Sequence, residues 1–283
     1  MAVSTSGPII AATLAPALAI AFWRNALGAA ALGPFALWGR RRELAGLSRS
    51  SWRLSTLSGG LLAAHFATWI PSLNLTSVAS STALVATQPA WAALIARAQG
   101  NVVPRRAWFG IALAFAGVVV VSGVDLSLSV QALAGDLLAL VGAVFAAGYV
   151  TVGARVRRDV STWTYTFVVY SVAALLLLIL CLVTSQQLTG YSANTWAMLL
   201  ALTAGAQLLG HTVFNAVLKT TKPTVMSLAI LLEVPGAALI AWAWLGQVPP
   251  LGVIPGAALL LAGIAVVVSS SAAGAPSTVP PVE

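Results

Sequence analysis

A near-unbroken series of apolar runs constrains this chain most. Each is close to the ~20 residues that a helix needs to cross the hydrocarbon core of a bilayer. Ten runs can be marked, at about 1–14, 17–37, 54–73, 78–96, 107–124, 132–152, 163–184, 196–218, 225–245 and 253–268. Charged residues make up 7% of the chain and hydrophobic ones 59%, with a mean hydropathy of +0.96. Soluble domains carry about 25% charged residues. The expected fold is therefore an all-α integral membrane protein of about ten transmembrane helices. The lone cysteine, Cys181, excludes an internal disulfide framework.

A net charge of +8 would suggest nucleic acid as a partner in a soluble protein, but its placement argues against that here. All of the 14 Lys and Arg except Arg24 fall in four alternate loops. Arg40, Arg41, Arg42, Arg49 and Arg53 follow run 2; Arg97, Arg105 and Arg106 follow run 4; Arg155, Arg157 and Arg158 follow run 6; Lys219 and Lys222 follow run 8. The opposite loops are expected to carry Asp125 and Asp136 and no basic residue. By the positive-inside rule the basic loops and both termini are cytoplasmic, at the cell membrane, with anionic lipid as the partner of the basic loops. The Ser/Pro/Ala-rich stretch at 270–283 is expected to be a disordered tail.

The chain also repeats itself. Its only histidines, His65 and His211, are 146 positions apart (211 − 65). At the same offset Gly59 meets Gly205, Pro89 meets Pro235, Gly100 meets Gly246, Pro104 meets Pro250, Gly110 meets Gly256 and Gly117 meets Gly263. Two units follow, 1–124 and 132–269. Each holds an odd number of spans, so the copies are expected to insert in opposite orientations. Run 6 begins about 14 residues before the counterpart of residue 1 (132 − 146 = −14), so the first helix is too short to span. A true start upstream of residue 1 is the expected explanation; a half-length first helix is the other.

Glu233 is the only acid near the middle of a long apolar run, run 9. A charge at that depth costs roughly 2.5–3.5 kcal/mol on insertion scales, which makes it a functional-site candidate. Pro235 two residues later weakens the helix there. Glu233 is read as a proton carrier or a ligand for a cationic group, the bland alternative being a glutamate that only holds helices together. Arg24 lies mid-helix in FWRN and cannot lose its proton, so it faces a cavity or a partner, or else snorkels. It suits a substrate carboxylate or phosphate, or pairing with Glu233. His65 and His211 are read as cavity-lining groups that carry protons or bind substrate, against the alternative of packing donors. Trp69 and Asn215 follow them by four and share their faces. Gln88 and Gln207 are weaker candidates. Trp23, Trp52, Trp163 and Trp196 are read as interfacial anchors or packing. The glycines of GIALAFAG and GAALLLAG, in runs 5 and 10, predict a close helix–helix contact. No metal site is expected, since no Cys/Asp cluster accompanies the histidines, and no cofactor. P-loop, HExxH, G-x-S-x-G and dinucleotide motifs are missing, so the chain alone does not drive transport with ATP.

Several stretches resemble the EamA-type transporters of the drug/metabolite transporter superfamily: AFWRNALGAAALGPFAL, TSVASSTALVATQPAWAALIA and SLAILLEVPGAALIAWAWLGQVPPL. The resemblance implies two inverted five-helix repeats around a central cavity, export of metabolites, amino acids or drugs, and homodimers through helices 5 and 10. The family's acid after the glycine closing helices 4 and 9 is replaced here by Asn101 and Gln247, and its Glu-Pro by Glu233-Val234-Pro235. The reading is a secondary-active exporter of a small metabolite or amino acid. Its expected substrate-binding residues are Arg24, His65, Trp69, His211, Asn215 and Glu233, with proton coupling at Glu233, His65 and His211. Multidrug or organic-cation efflux is the alternative within the fold, and an intramembrane enzyme the alternative outside it.

Overall fold

The computed structural model describes residues 3–212 and 231–273, the side chains of His211 and of 271–273 excepted. Asn215 and the 270–283 tail beyond Ala273 lie outside the described residues. The chain is helical along almost all of that length. A 3-10 turn (Val3–Thr5) leads into α1 (Ser6–Ala12), followed by α2 (Ala17–Pro34), the short α3 (Arg41–Ala45) and α4 (Arg49–Ser72). Then come α5 (Val78–Val85), α6 (Gln88–Ala98), α7 (Arg105–Leu128), α8 (Val130–Val156) and α9 (Thr162–Val183). The last are α10 (Ala193–Leu202), which runs on in wider π turns (Thr203–Thr212), α11 (Glu233–Leu245) and α12 (Val253–Ala273).

Serine starts many of these helices. Ser48, Ser77, Ser129, Ser161 and Ser192 each accept a hydrogen bond from a backbone N–H in the first turn of α4, α5, α8, α9 and α10. Five stretches are long and apolar enough to cross a membrane: Val78–Ala98, Arg105–Leu128, Val130–Val156, Thr162–Val183 and Val253–Ser270. The expected count of ten is thus not reached among the described residues. Arg24 and Asn25 lower the hydropathy of α2, and arginines and serines lower that of α4. The first segment is short, as expected, with Val3–Ala12 as its apolar length.

Run 4 is broken, which its hydropathy did not announce. The helix ends at Val85 and restarts at Gln88, with Pro89 in the new first turn. Run 9 does the same: α11 starts at Glu233 and Pro235 sits in its first turn. Proline is tolerated there because the first-turn N–H groups have no intrahelical acceptor to lose. Both interrupted helices also end on a left-handed glycine, Gly100 (φ 88) and Gly246 (φ 66), a conformation open to glycine at no steric cost.

Helix pairings map onto one another when the halves are exchanged. α2 packs on α9, and α7 packs along α12. α4 against α8 answers α10 and its π extension against α1 and the N-terminal turn; α5 and α6 against α8 answer α11 against α1. Along α7–α12 the backbones touch. A Cβ on Gly117 would lie 2.5 Å from Leu260 N, and one on Gly110 would lie 2.6 Å from Gly263 O. The glycine faces of runs 5 and 10 are therefore spent on each other within the chain.

Asp125 and Asp136 do not sit in a loop. α7 and α8 are separated by Ser129 alone, so both aspartates lie in helices, 2% and 0% exposed. The single-residue turn is possible because Ser129 adopts extended backbone and caps α8 itself. At the other end of the bundle Glu43 of α3 accepts hydrogen bonds from Ser161 N (2.6 Å), Ser161 Oγ (2.7 Å) and Thr164 Oγ1 (2.9 Å), tying the loop to the start of α9. Partial burial pulls the Glu43 pKa up, but those donors and nearby Arg40 outweigh it and hold the carboxyl below its ordinary value. A depressed folded-state pKa stabilises the tie above the unfolded value and releases it as pH falls through the folded one. Protection of the Ser161–Thr164 amides, relative to their intrinsic exchange rate at each pH, is expected to fall as the pH drops through and below the usual glutamate range. In Glu43→Gln that protection should already be low at neutral pH and lack the acid step.

Candidate functional site

α2 places Arg24 at the centre of the bundle because its small residues let neighbours close around it. A Cβ on Gly28, one turn on, would lie 3.1 Å from the Tyr170 ring of α9 and 3.4 Å from Gln207 Cγ. Arg24 is 0% exposed and does not snorkel. Its Nε (2.9 Å) and Nη2 (2.6 Å) both donate to Gln207 Oε1, on the π extension of α10. Gln207 in turn donates through Nε2 to Asn25 Oδ1 at 3.3 Å, and Asn25 donates back to Ala21 O at 2.8 Å. Arg24 Cζ sits 4.1 Å above the centre of the Phe66 ring of α4, a cation–π contact. Arg24 Nη1 is buried with no hydrogen-bond partner.

The α4 face continues the site. His65 follows the same turn and stacks on Trp69, with ring centres 5.6 Å apart and planes 10° from parallel. Its Nδ1–H donates to Gly142 O of α8 at 2.9 Å, which puts the proton on Nδ1 because a carbonyl only accepts. The Trp69 ring is 4% exposed, and its Nε1–H has no partner. Tyr170 is buried beside Arg24, Gln207 and Thr212, and its hydroxyl closes no well-directed hydrogen bond.

Glu233 opens α11, half-buried, in the first turn where the helix dipole favours an anion. It feels the charge of Arg24, yet among the described residues no ion pair joins them within 4.0 Å. The helix break that frees its carboxylate falls just before it, at Leu232, and not after it at Pro235 as the sequence suggested. α11 is held there by the N-terminal turn: a Cβ on Gly236 would lie 2.6 Å from Ser4 Oγ.

Of the six expected residues, Arg24, His65 and Trp69 share one cluster and Glu233 lies within its electrostatic reach. The His211 backbone is in the π extension one turn past Gln207, and its side chain, like Asn215, is outside the described residues. Gln207 matters more than its sequence rank implied, as the direct partner of Arg24. Tyr170, Phe66 and Asn25 were not singled out. Tyr170 was within reach of the repeat: it stands at the 146 offset from Arg24 (170 − 24). Among the described residues no group of three or more His, Cys, Asp or Glu side chains could hold a metal. Trp23 and Trp196 make an edge-to-face pair with centres 4.8 Å apart, and Trp23 Nε1 donates to Leu188 O at 2.8 Å.

Helices of this length and apolarity, with a charged cluster sunk between them, define a multi-pass membrane protein. The model of the EamA-like transporter family matches residues 2–123 and again 133–269. The chain belongs to that family of the drug/metabolite transporter superfamily and is a membrane transporter. No curated protein matches the sequence. A crystal structure of a protein with 18% sequence identity superposes with a TM-score of 0.63 over 93% of this chain and 94% of its own, a likeness of fold.

Proposed function

We propose that the chain is a secondary carrier that exports a small metabolite or amino acid by alternating access of two inverted halves, 1–124 and 132–269. The observation that carries this reading is Arg24 itself: a permanent cation, fully buried, held by Gln207 of the other half and with one nitrogen unspent. A buried cation with a free donor suits a substrate carboxylate, and argues for that class over organic cations. Trp69 and His65 offer a flat wall beside it; His211 and Asn215 are proposed to line the same hollow. The arginine-rich loops support a cell-membrane location with both termini cytoplasmic.

Glu233, with His65 and His211 as partners, is proposed to exchange protons with the substrate cycle. In reconstituted vesicles an imposed pH gradient is expected to drive flux in the wild type, while Glu233→Gln transports at a rate that ignores the gradient. Flux blind to the gradient in both proteins would remove protons from the mechanism.

A further inference from the structure

A second polar cluster lies away from the Arg24 site, where α7 meets α8. Asp125, in the last turn of α7, and Asp136, near the start of α8, are 2% and 0% exposed. Thr76, in the loop after α4, donates to Asp125 Oδ2 at 3.1 Å. The loop is pressed on α8 at a glycine: a Cβ on Gly135 would lie 2.9 Å from Thr76 N. Asp136 lies alongside Asp125, Ser122 and Thr76. Even so, neither of its carboxylate oxygens has a hydrogen-bond partner, and Ser122 Oγ is likewise buried without one.

Among the described residues no cation is positioned to neutralise this pair. On α8 itself Tyr149 and Arg155 lie toward the opposite end. α4 brings Arg49 and Arg53 at its far start and His65, whose ring is committed to Gly142, about 9 Å along α8 from Asp136. α7 carries Arg105 and Arg106 in its first turn, and α6 carries Arg97 at its end. α5 and the described part of α12 contribute no titratable group.

Two adjacent carboxylates shielded from water repel each other when both are ionised, and one proton held between them removes that repulsion. An isolated buried carboxylate without donors is unfavourable, and a hydrogen between the two acids supplies the donor that Asp136 lacks. A metal ion would need six or so oxygens, and among the described residues no group of three or more His, Cys, Asp or Glu side chains could hold one. We infer that Asp125 and Asp136 form a binding site for one proton, at the end of the bundle remote from the arginine-rich loops. The inference stands whether or not Glu233 couples protons to transport.

Asp125, Asp136 and Asp159 are the only aspartates in the sequence, and Asp159 is exposed in the turn after α8. Infrared spectroscopy of the full-length protein in lipid nanodiscs, with carboxyl-labelled aspartate, therefore isolates the pair. At neutral pH the wild type is expected to show protonated-carboxyl intensity equal to one aspartate per chain, absent from the Asp125→Asn/Asp136→Asn double variant. No protonated aspartate in the folded wild type, or intensity equal to two, would overturn the proposal, and the wild-type spectrum decides even if the variant does not fold. Persistence of the band in a folded double variant would overturn it by assigning the proton to Asp159. Removal of the band by sodium or calcium at fixed pH would do so by giving the site to a metal cation.

Discussion

Arg24→Met is expected to abolish transport while leaving the melting temperature in detergent unchanged or higher. The guanidinium is fully buried, yet among the described residues its only hydrogen-bonding partner is the neutral carbonyl of Gln207, and Nη1 is unpaired. Neutral partners do not repay the several kcal/mol that taking an ion out of water costs. Methionine is unbranched, apolar and of similar length, so it fills the space over Phe66 without the charge. A substrate anion would lose charge-assisted hydrogen bonds of about 1.5–3 kcal/mol, roughly a 10- to 100-fold drop in binding. Arg24→Lys keeps the charge but not the planar fork that spans Gln207 and covers the ring, so it is expected to fall between the two. A merely structural arginine would show the reverse: a lower melting temperature with flux intact.

The second large effect is on stability. Gly117→Ala is expected to destabilise the protein by about 2–3 kcal/mol, as overpacking a close-fitted core does. Its new methyl would sit 2.5 Å from Leu260 N and 2.6 Å from Gly256 O, backbone atoms that cannot turn aside. The control lies on the same helix. Gly123 has nothing within 4 Å of its would-be Cβ, so Gly123→Ala should be neutral or stabilising by up to about 1 kcal/mol from helix propensity. Denaturation of both variants in detergent measures the contrast, and equal behaviour would mean that α7 and α12 are not in backbone contact.

Much of this architecture was legible in the chain because lipid makes local demands. Apolar runs, arginine-rich alternate loops and the 146-residue offset are all local or periodic signals, and α7, α8, α9 and α12 follow them within a few residues. The matched glycines of runs 5 and 10 were legible as a close contact, since only a missing side chain lets helix backbones approach so far. Hydropathy averages over a window and so hid two things. It missed the breaks before Gln88 and Glu233, although Pro89 and Pro235 mark them, because proline in a first turn reads the same as proline in a kink. It also put Asp125 and Asp136 in a loop, because a turn reduced to Ser129 leaves too few residues to register as one.

The partners of Arg24 were hidden for another reason. Gln207 is 183 residues away and Phe66 belongs to a different helix, and nothing in the periodicity of α2 states what faces it. Only the repeat carried such information, by equating Arg24 with Tyr170 and Glu233 with Thr87. Those pairs differ in chemistry, so a search for identical residues passed over them.

The central claim is that a substrate crosses the membrane through a site built on Arg24. It is tested most directly by counterflow in proteoliposomes, using the metabolites that raise the melting temperature of the purified wild type in a screen. A labelled hit is predicted to accumulate transiently in vesicles preloaded with the same unlabelled compound, and Arg24→Met vesicles of equal protein content are predicted to show none. Accumulation that is undiminished in Arg24→Met, or absent from wild-type vesicles for every stabilising compound, would contradict it.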